Sequence, residues 1–344
     1  MNNIPALRKS INPRSFPVLN VMTFNIHQLP ASTPSGTPGT DCTTERASYA
    51  ESLIRSRNCD VVVLTEAFNY DAELMRRRLQ DVYPHQTQLV GQYCSGWTGG
   101  NWNSYSGKCS GGAVFVNGGV AILSKYRILE KHQLVFSSSL LSADYLSNKG
   151  VALVKIADRY REAPPVWLAG MHLQAKDSQQ AQEVRTFQLS EFKQFAYEKT
   201  MGAPVIVAGD FNIPFYEVDV NDGQAPLNYS SGEYRFNCAS LRLSLIPNQL
   251  GAGYSYDMVN NPRARVQATE ADAKYQNVLD YVGCLARPDD YRYPVKLLGI
   301  DESGEAAPVC GVPSDHQSVM AAVDVSYLVP QPEIPAGRDG GCDG

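Results

Sequence analysis

The sequence predicts two packed β-sheets with helices outside them. Three observations carry this reading. Short β-rich runs recur along nearly the whole chain. Helical patterns separate only some of those runs, which does not suit a doubly wound parallel sheet. Of 344 residues, 43 % are apolar and 19 % charged, enough for a sizeable core.

The expected strands are "VLNVMTFN" (18–25), "DVVVLTEAF" (60–68), "GGVAILSK" (118–125), "VALVKI" (151–156), "VWLAGMHL" (166–173), "PVIVAGD" (204–210), "NVLDYVGC" (277–284) and "SVMAAVDVSYL" (318–328). Three helices are expected between them. One spans 44–57 with Thr44 as N-cap, and one spans 71–82 starting at Asp71. The longest spans 178–199, with Val184, Phe187, Leu189, Phe192 and Phe195 as its apolar stripe. Two Gly/Ser-rich loops stand out, at 29–44 and 93–112. No repeat or interdomain linker interrupts the pattern. The expectation is an N-terminal extension (1–17), one catalytic domain (18–328) and a flexible tail (329–344).

No apolar run approaches the roughly 20 residues of a membrane span. The formal net charge of -5 advertises no nucleic-acid-binding face. The first residues lack a hydrophobic signal core, so the protein is either cytosolic or has lost its signal. The eight cysteines favour a secreted protein with disulfides. Cys94 and Cys109 flank one loop and are the expected pair. Cys59 and Cys284 sit in apolar surroundings and read as buried thiols. No CxxC pair suggests structural zinc.

Polar groups recur where these strands end: Asn25 and His27, Glu66, His172 and Gln174, Asp210 and Asn212. Asp280 sits inside a strand run, and Asp315 and His316 precede the last one. Burying a lone carboxylate among valines is costly, so such groups must share partners. Singly, each has an ordinary reading: turn chemistry, a helix cap or a hydrogen-bonded core histidine. Together, and in strand context, they read as one site. Oxygen donors without cysteine point to a hard cation, and Glu66, Asn25, Asp210 and Asp315 are the types magnesium prefers. Two histidines beside them suit acid–base work. The chemistry this set can perform is metal-assisted phosphoester hydrolysis.

The motifs "MTFN" (22–25), "LTEAF" (64–68), "GMHLQA" (170–175), "GDFN" (209–212), "LDY" (279–281) and "SDH" (314–316) resemble, in order, those of the endonuclease/exonuclease/phosphatase superfamily. The stretches "NGGVAILSKYRI", "LSNKGVALVKI", "HLQAKDS" and "YSYDMVNN" resemble the secreted bacterial sphingomyelinases C. The resemblance implies a DNase I-like four-layer α/β sandwich with two mixed sheets flanked by helices. It implies Mg²⁺, or another divalent cation such as Mn²⁺ or Co²⁺, held by Glu66 with Asn25, Asp315, Asp210 and Asn212. His316 becomes the general base oriented by Asp280. Asp210 and Asn212 face the phosphate or nucleophile, and His172 assists phosphate or leaving group. Lys149 and Asn148 of "SNKG" become substrate contacts. The implied substrate is sphingomyelin in membranes, cleaved to ceramide and phosphocholine by a monomer with peripheral membrane contact and no stable nucleic-acid partner. Trp97, Trp102 and Tyr105 are candidates for choline or membrane contact. The sequence departs from the group before "SDH", where Leu297, Leu298 and Ile300 stand without the aromatic hairpin of strong membrane binders.

A nuclease of the same superfamily shares the catalytic set, but "SNKG" and the lack of a basic face stand against it. An inositol-polyphosphate phosphatase lacks its basic substrate-reading run here. A catalytically silent toxin subunit requires a broken site, and none of the positions is lost.

Overall fold

The computed structural model describes residues 18–94, 101–110, 116–140, 143–157, 165–241, 243–246, 253–285, 295–301 and 309–325. In chain order the strands are β1 (Val18–Gln28), β2 (Val61–Ala67), β3 (His85–Gln86), β4 (Ser104–Gly107), β5 (Val116–Asn117), β6 (Ala121–Ser124), β7 (Ile128–Val135), β8 (Ser147–Asn148), β9 (Gly150–Ile156), β10 (Val166–His172), β11 (Val205–Asp210), β12 (Tyr216–Asp219), β13 (Ala225–Ser230), β14 (Leu243–Ile246), β15 (Tyr256–Asp257), β16 (Gln276–Asn277), β17 (Asp280–Leu285), β18 (Val295–Ile300) and β19 (Val319–Asp324). The helices are α1 (Thr43–Arg57), α2 (Tyr70–Arg78), α3 (Gln179–Thr200), α4 (Gly232–Leu241) and α5 (Pro262–Arg265).

Two sheets dominate. One has the order β18-β19-β1-β2-β6-β3, the other β14-β17-β11-β10-β9-β7-β4. Both are mixed: β1 runs parallel to β2 and β10 parallel to β11, while most other neighbours are antiparallel. The period-2 alternation of a strand decides which residue faces which layer. Val21, Val61 and Val63 of the first sheet meet Leu168, Ile206, Ala208 and Val282 of the second in one buried cluster. Met22, Phe24, Val62 and Leu64 point the other way, against Ala47, Ile54 and Met75 of α1 and α2. Trp167, Val205 and Val207 pack on Leu189, Phe192 and Phe195 of α3. The layers therefore run helix, sheet, sheet, helix, which is the expected α/β sandwich.

Several local expectations are corrected. Thr44 lies inside α1, whose N-cap is Cys42, and the Thr44 hydroxyl donates to Asp71. Asn69, not Asp71, caps α2, because its side chain accepts from the Ala72 N–H. Phe187 does not join the α3 stripe and is 56 % exposed, whereas Arg185 and Gln188 are buried there and hold loop carbonyls. The "NVLDYVGC" run is split between β16 and β17, because the Leu279 carbonyl accepts from Phe211 instead of continuing a ladder. The strand β7, "ILEKHQLV", lies between β9 and β4 and was not anticipated.

Cys94 and Cys109 form the expected disulfide, and Cys59 and Cys284 are both buried, as expected. A second disulfide joins Cys42 to Cys310 across 268 residues of sequence. Trp97 lies outside the described residues. Trp102 is buried in the inter-sheet cluster, and the Tyr105 hydroxyl accepts from the Cys109 N–H. Trp102 is therefore core, which corrects the expectation that it contacts choline or membrane. Of the three aliphatic residues before "SDH", Leu298 is 52 % exposed, while Leu297 packs on the α3 side of the core and Ile300 is buried.

Candidate active site

The strand register assembles the site. His172 pairs with Asp210 across β10 and β11, and Asp210 pairs with Asp280 across β11 and β17. These three side chains thus form one row at the end of one sheet. They share the inward face with Leu168, Ile206, Ala208 and Val282, so the row points between the sheets. From the facing sheet, Asn25 reaches across: its Nδ2 donates to Asp210 Oδ2 at 2.9 Å. Asp210 Oδ1 accepts from the Asn212 N–H at 2.9 Å. The Asn212 amide turns back to the Leu173 carbonyl at 3.2 Å.

Past Asn25 and Thr65 the β1–β2 register breaks. His27 and Glu66 there adopt left-handed backbone, with φ of 47° and 54°. Such strain in non-glycine residues persists only where surroundings enforce it, and it clusters at functional sites. Gly119 lets the Glu66–Phe68 segment lie close: a Cβ on Gly119 would meet the Phe68 ring at 2.8 Å and Glu66 Cα at 3.1 Å.

His316 is held from two sides. Asp280 Oδ2 lies 2.7 Å from its Nδ1, and the Tyr256 ring contacts its ring at 4.9 Å, edge to face. The other nitrogen, Nε2, lies 3.9 Å from Asp210. Burial opposes charge on His316, but Asp280, Asp210 and Asp315 hold its imidazole well above the ordinary value. Burial pushes the Asp280 carboxyl up to about 6, against the pull of His316.

His172 behaves in the opposite way. Burial, with Lys149 and His316 nearby, holds it well below the ordinary value. Its Nε2 is 3.1 Å from Lys149 Nζ and 3.5 Å from Asp210. Nε2 accepts from the ammonium, while Nδ1 is buried without a hydrogen-bond partner. Lys149 also donates to the Leu173 carbonyl at 3.0 Å and Asp144 at 2.8 Å, so all three of its donors have partners. It brings positive charge to the cluster but no spare hydrogen bond. Asn148 is engaged locally. Its amide N–H groups donate to the Gly91 and Ser110 carbonyls and its oxygen accepts from the Ser110 N–H, so it fastens a loop.

Asp315 stands beside the row. Its oxygens lie 3.2 Å from His27 Nδ1, 2.7 Å from Gln267 Nε2 and 3.2 Å from Ser314 Oγ. Burial works against its charge, but His27, His316 and these donors keep its carboxyl below the usual range. Behind it, Arg46 is fully buried and donates to the carbonyls of His27, Gly39 and Asp41. The Cys42–Cys310 bond ties this corner to the loop that leads into Asp315.

Glu66 completes the set at its most open point, with its side chain 21 % exposed and Nε2 of the neutral His172 3.9 Å away. Burial and then Asp315 push its carboxyl up to about 7, so its negative charge is poorly balanced by the protein alone. Four carboxylates converge, while Lys149 is already paired with Asp144 and His316 with Asp280. Asp210, Asp280 and His316 also place one donor atom each within 4.8 Å of one another. Uncompensated oxygen donors of this kind fit a divalent cation. Asn25, Glu66, His172, Asp210, Asp280, Asp315 and His316 are thus brought together as expected; Asn212 and Lys149 adjoin them. Tyr256, His27, Gln267 and Asp144 were not assigned roles, although Tyr256 lies in the "YSYDMVNN" stretch already singled out.

The Endonuclease/Exonuclease/phosphatase family model matches residues 22–316. Sphingomyelinase C of Bacillus cereus is 32 % identical over 273 residues, covering 77 % of this chain and 74 % of that protein. Sphingomyelinase C 2 of Leptospira interrogans is 33 % identical over 242 residues, which is 68 % of this chain but 36 % of that longer protein. Among solved structures, Sphingomyelinase C from Streptomyces griseocarneus superposes with a TM-score of 0.67 at 27 % identity, covering 90 % of this chain and all of that one.

Proposed function

This chain belongs to the endonuclease/exonuclease/phosphatase family and groups there with the bacterial sphingomyelinases C, and from that premise we propose that it is a metal-dependent phosphodiesterase that hydrolyses sphingomyelin to ceramide and phosphocholine. The observation that carries the reaction type is the row His172–Asp210–Asp280 closing on His316. The substrate is carried by the relatives' activity.

Glu66, with Asn25 and Asp210, would hold Mg²⁺. When bound, the cation supplies Lewis-acid polarisation of the phosphate and offsets the surrounding carboxylates. With a cation offsetting the carboxylates that hold its imidazole up, His316 would take the proton of the attacking water at Nε2, because Asp280 occupies Nδ1 and fixes the ring. Asp280 then stabilises the imidazolium through a short charge-assisted bond. Asp210 is oriented by Asn25 and Asn212, and so keeps its oxygens in register beside His316 Nε2. Lys149 contributes its field to the developing negative charge, with its position fixed by Asp144, Leu173 and His172. His172 stays neutral and holds Lys149. Asp315 acts as a fixed negative charge, since Gln267 and Ser314 already donate to its oxygens.

The two disulfides suit an oxidising compartment, and we read the protein as secreted. It acts as a monomer that contacts the lipid surface peripherally, with residues 18–328 as one catalytic unit. Phosphocholine release from sphingomyelin vesicles should vanish with chelator and return with added Mg²⁺. Release that persists in chelator would remove the metal from the account.

A further inference from the structure

A pocket of about 400 Å³ opens between α2 and the segment 86–93. Phe68, two residues past Glu66, lines it, so the pocket and the catalytic cluster share one stretch of chain. The hydrolysis described above uses none of its side chains.

Arg76 lines this pocket. Its Nη2 donates to the Thr87 carbonyl at 2.6 Å, and its Nε is closed off from solvent without a hydrogen-bond partner. Among the described residues, no carboxylate pairs with it. Glu73, the one acid in the lining, is hydrogen-bonded by Arg77 and attracts Arg76 only at longer range. Burial pushes Arg76 down to about 10, so it remains charged at neutral pH. Arg76 is half-buried, and a partly desolvated cation without an ion-pair partner favours a counterion. Arg76, Arg77 and Glu73 leave the lining with one net positive charge. Gln80 and Gln92 add neutral donors at the same wall. Nη2 serves Thr87 and Nε is sealed, which leaves Nη1 of the guanidinium to donate to a phosphate oxygen.

We propose that this pocket binds a phosphate-bearing anion, separately from the catalytic cluster. The same chemistry is offered by the phosphodiester of an anionic lipid headgroup and by inorganic phosphate. A lipid held there would keep the protein on its surface with Glu66 close by.

The test uses the intact protein and two variants, Arg76→Gln and Gln92→Glu. Gln92 is exposed, so its substitution adds an opposing charge without disturbing the packing of α2. Inorganic phosphate is titrated calorimetrically in chelator, where the acid-rich catalytic cluster repels anions. Sedimentation with phosphatidylcholine vesicles, with and without phosphatidylglycerol, is measured in parallel. Phosphate affinity should fall at least ~10-fold in both variants, the scale of losing or opposing a charge-assisted bond. Phosphatidylglycerol that retains the parent protein and not the variants identifies a lipid as the source. Phosphate binding that depends on Arg76, without any lipid effect, identifies a soluble phosphate. Variants that bind both probes as the parent does, or a parent that binds neither, overturn the proposal.

Discussion

Replacing Asp280 by asparagine tests the catalytic geometry most sharply. Asp280 is fully buried, and its carboxylate accepts the proton on His316 Nδ1 at 2.7 Å. An asparagine keeps the shape but can present an N–H to Nδ1. The imidazole must then accept at Nδ1 and carry its proton on Nε2, the nitrogen that should receive the proton of water. The stabilisation of the imidazolium is lost as well. Together these amount to about 4 kcal/mol of transition-state stabilisation, or ~10³-fold in turnover. The fold should survive, because burial already pushes this carboxyl up to about 6 and a neutral amide is better tolerated there. The assay is phosphocholine release over a range of sphingomyelin concentrations, with thermal unfolding as control. The fall should be in kcat, with KM little changed. Asp280→Asn combined with His316→Ala should be no slower than His316→Ala alone, since the two act as one unit. A single variant within ~3-fold of the parent would refute the assignment of Nε2 as the base.

Three other outcomes follow from named contacts. Glu66→Gln should shift the Mg²⁺ titration to at least ~10-fold higher concentration, because it removes the least compensated carboxylate of the cluster; an unmoved midpoint would mean that Glu66 is not the principal ligand. Asn148→Ala should lower stability by about 2 kcal/mol, seen in urea unfolding, by stranding the Gly91 and Ser110 backbone groups it serves; a loss of activity without loss of stability would return Asn148 to substrate binding. Burial pushes the Cys59 thiol up to about 11, so its reactive thiolate is scarce at pH 8 and grows only as pH rises toward that value; alkylation at pH 8 should wait for unfolding, and fast labelling of the folded protein would contradict its burial.

The residues that sequence reading found best are those whose placement obeys strand alternation. Asp210 follows Ile206 and Ala208 on one face, so a carboxylate entering the inter-sheet layer was visible from the pattern alone. The same holds for Asn25 after Val21 and for His172 after Leu168. Contacts made across the fold were not visible. His27 meets Asp315, Arg46 caps three carbonyls and Cys42 bonds Cys310 only because distant segments converge at one corner. The strand β7 escaped notice because "ILEKHQLV" carries Glu130 and Lys131 among its apolar residues; its first half is only partly buried, and Lys155 of β9 pairs with Glu130. Helix starts slipped for a local reason. Asn69 and Asp71 both have capping side chains, and only the backbone decides which is extended at the boundary. Trp102 looked like a surface aromatic in a Gly/Ser-rich loop, yet its ring fills the inter-sheet layer.

The account stands on what this cluster hydrolyses. One preparation should be given sphingomyelin vesicles and supercoiled plasmid side by side, each with Mg²⁺ and with chelator, and with His316→Ala as the inactive control. The account predicts phosphocholine release that needs both Mg²⁺ and His316, with the plasmid left intact. Nicked plasmid without phosphocholine would contradict it and place the same metal cluster in a nuclease.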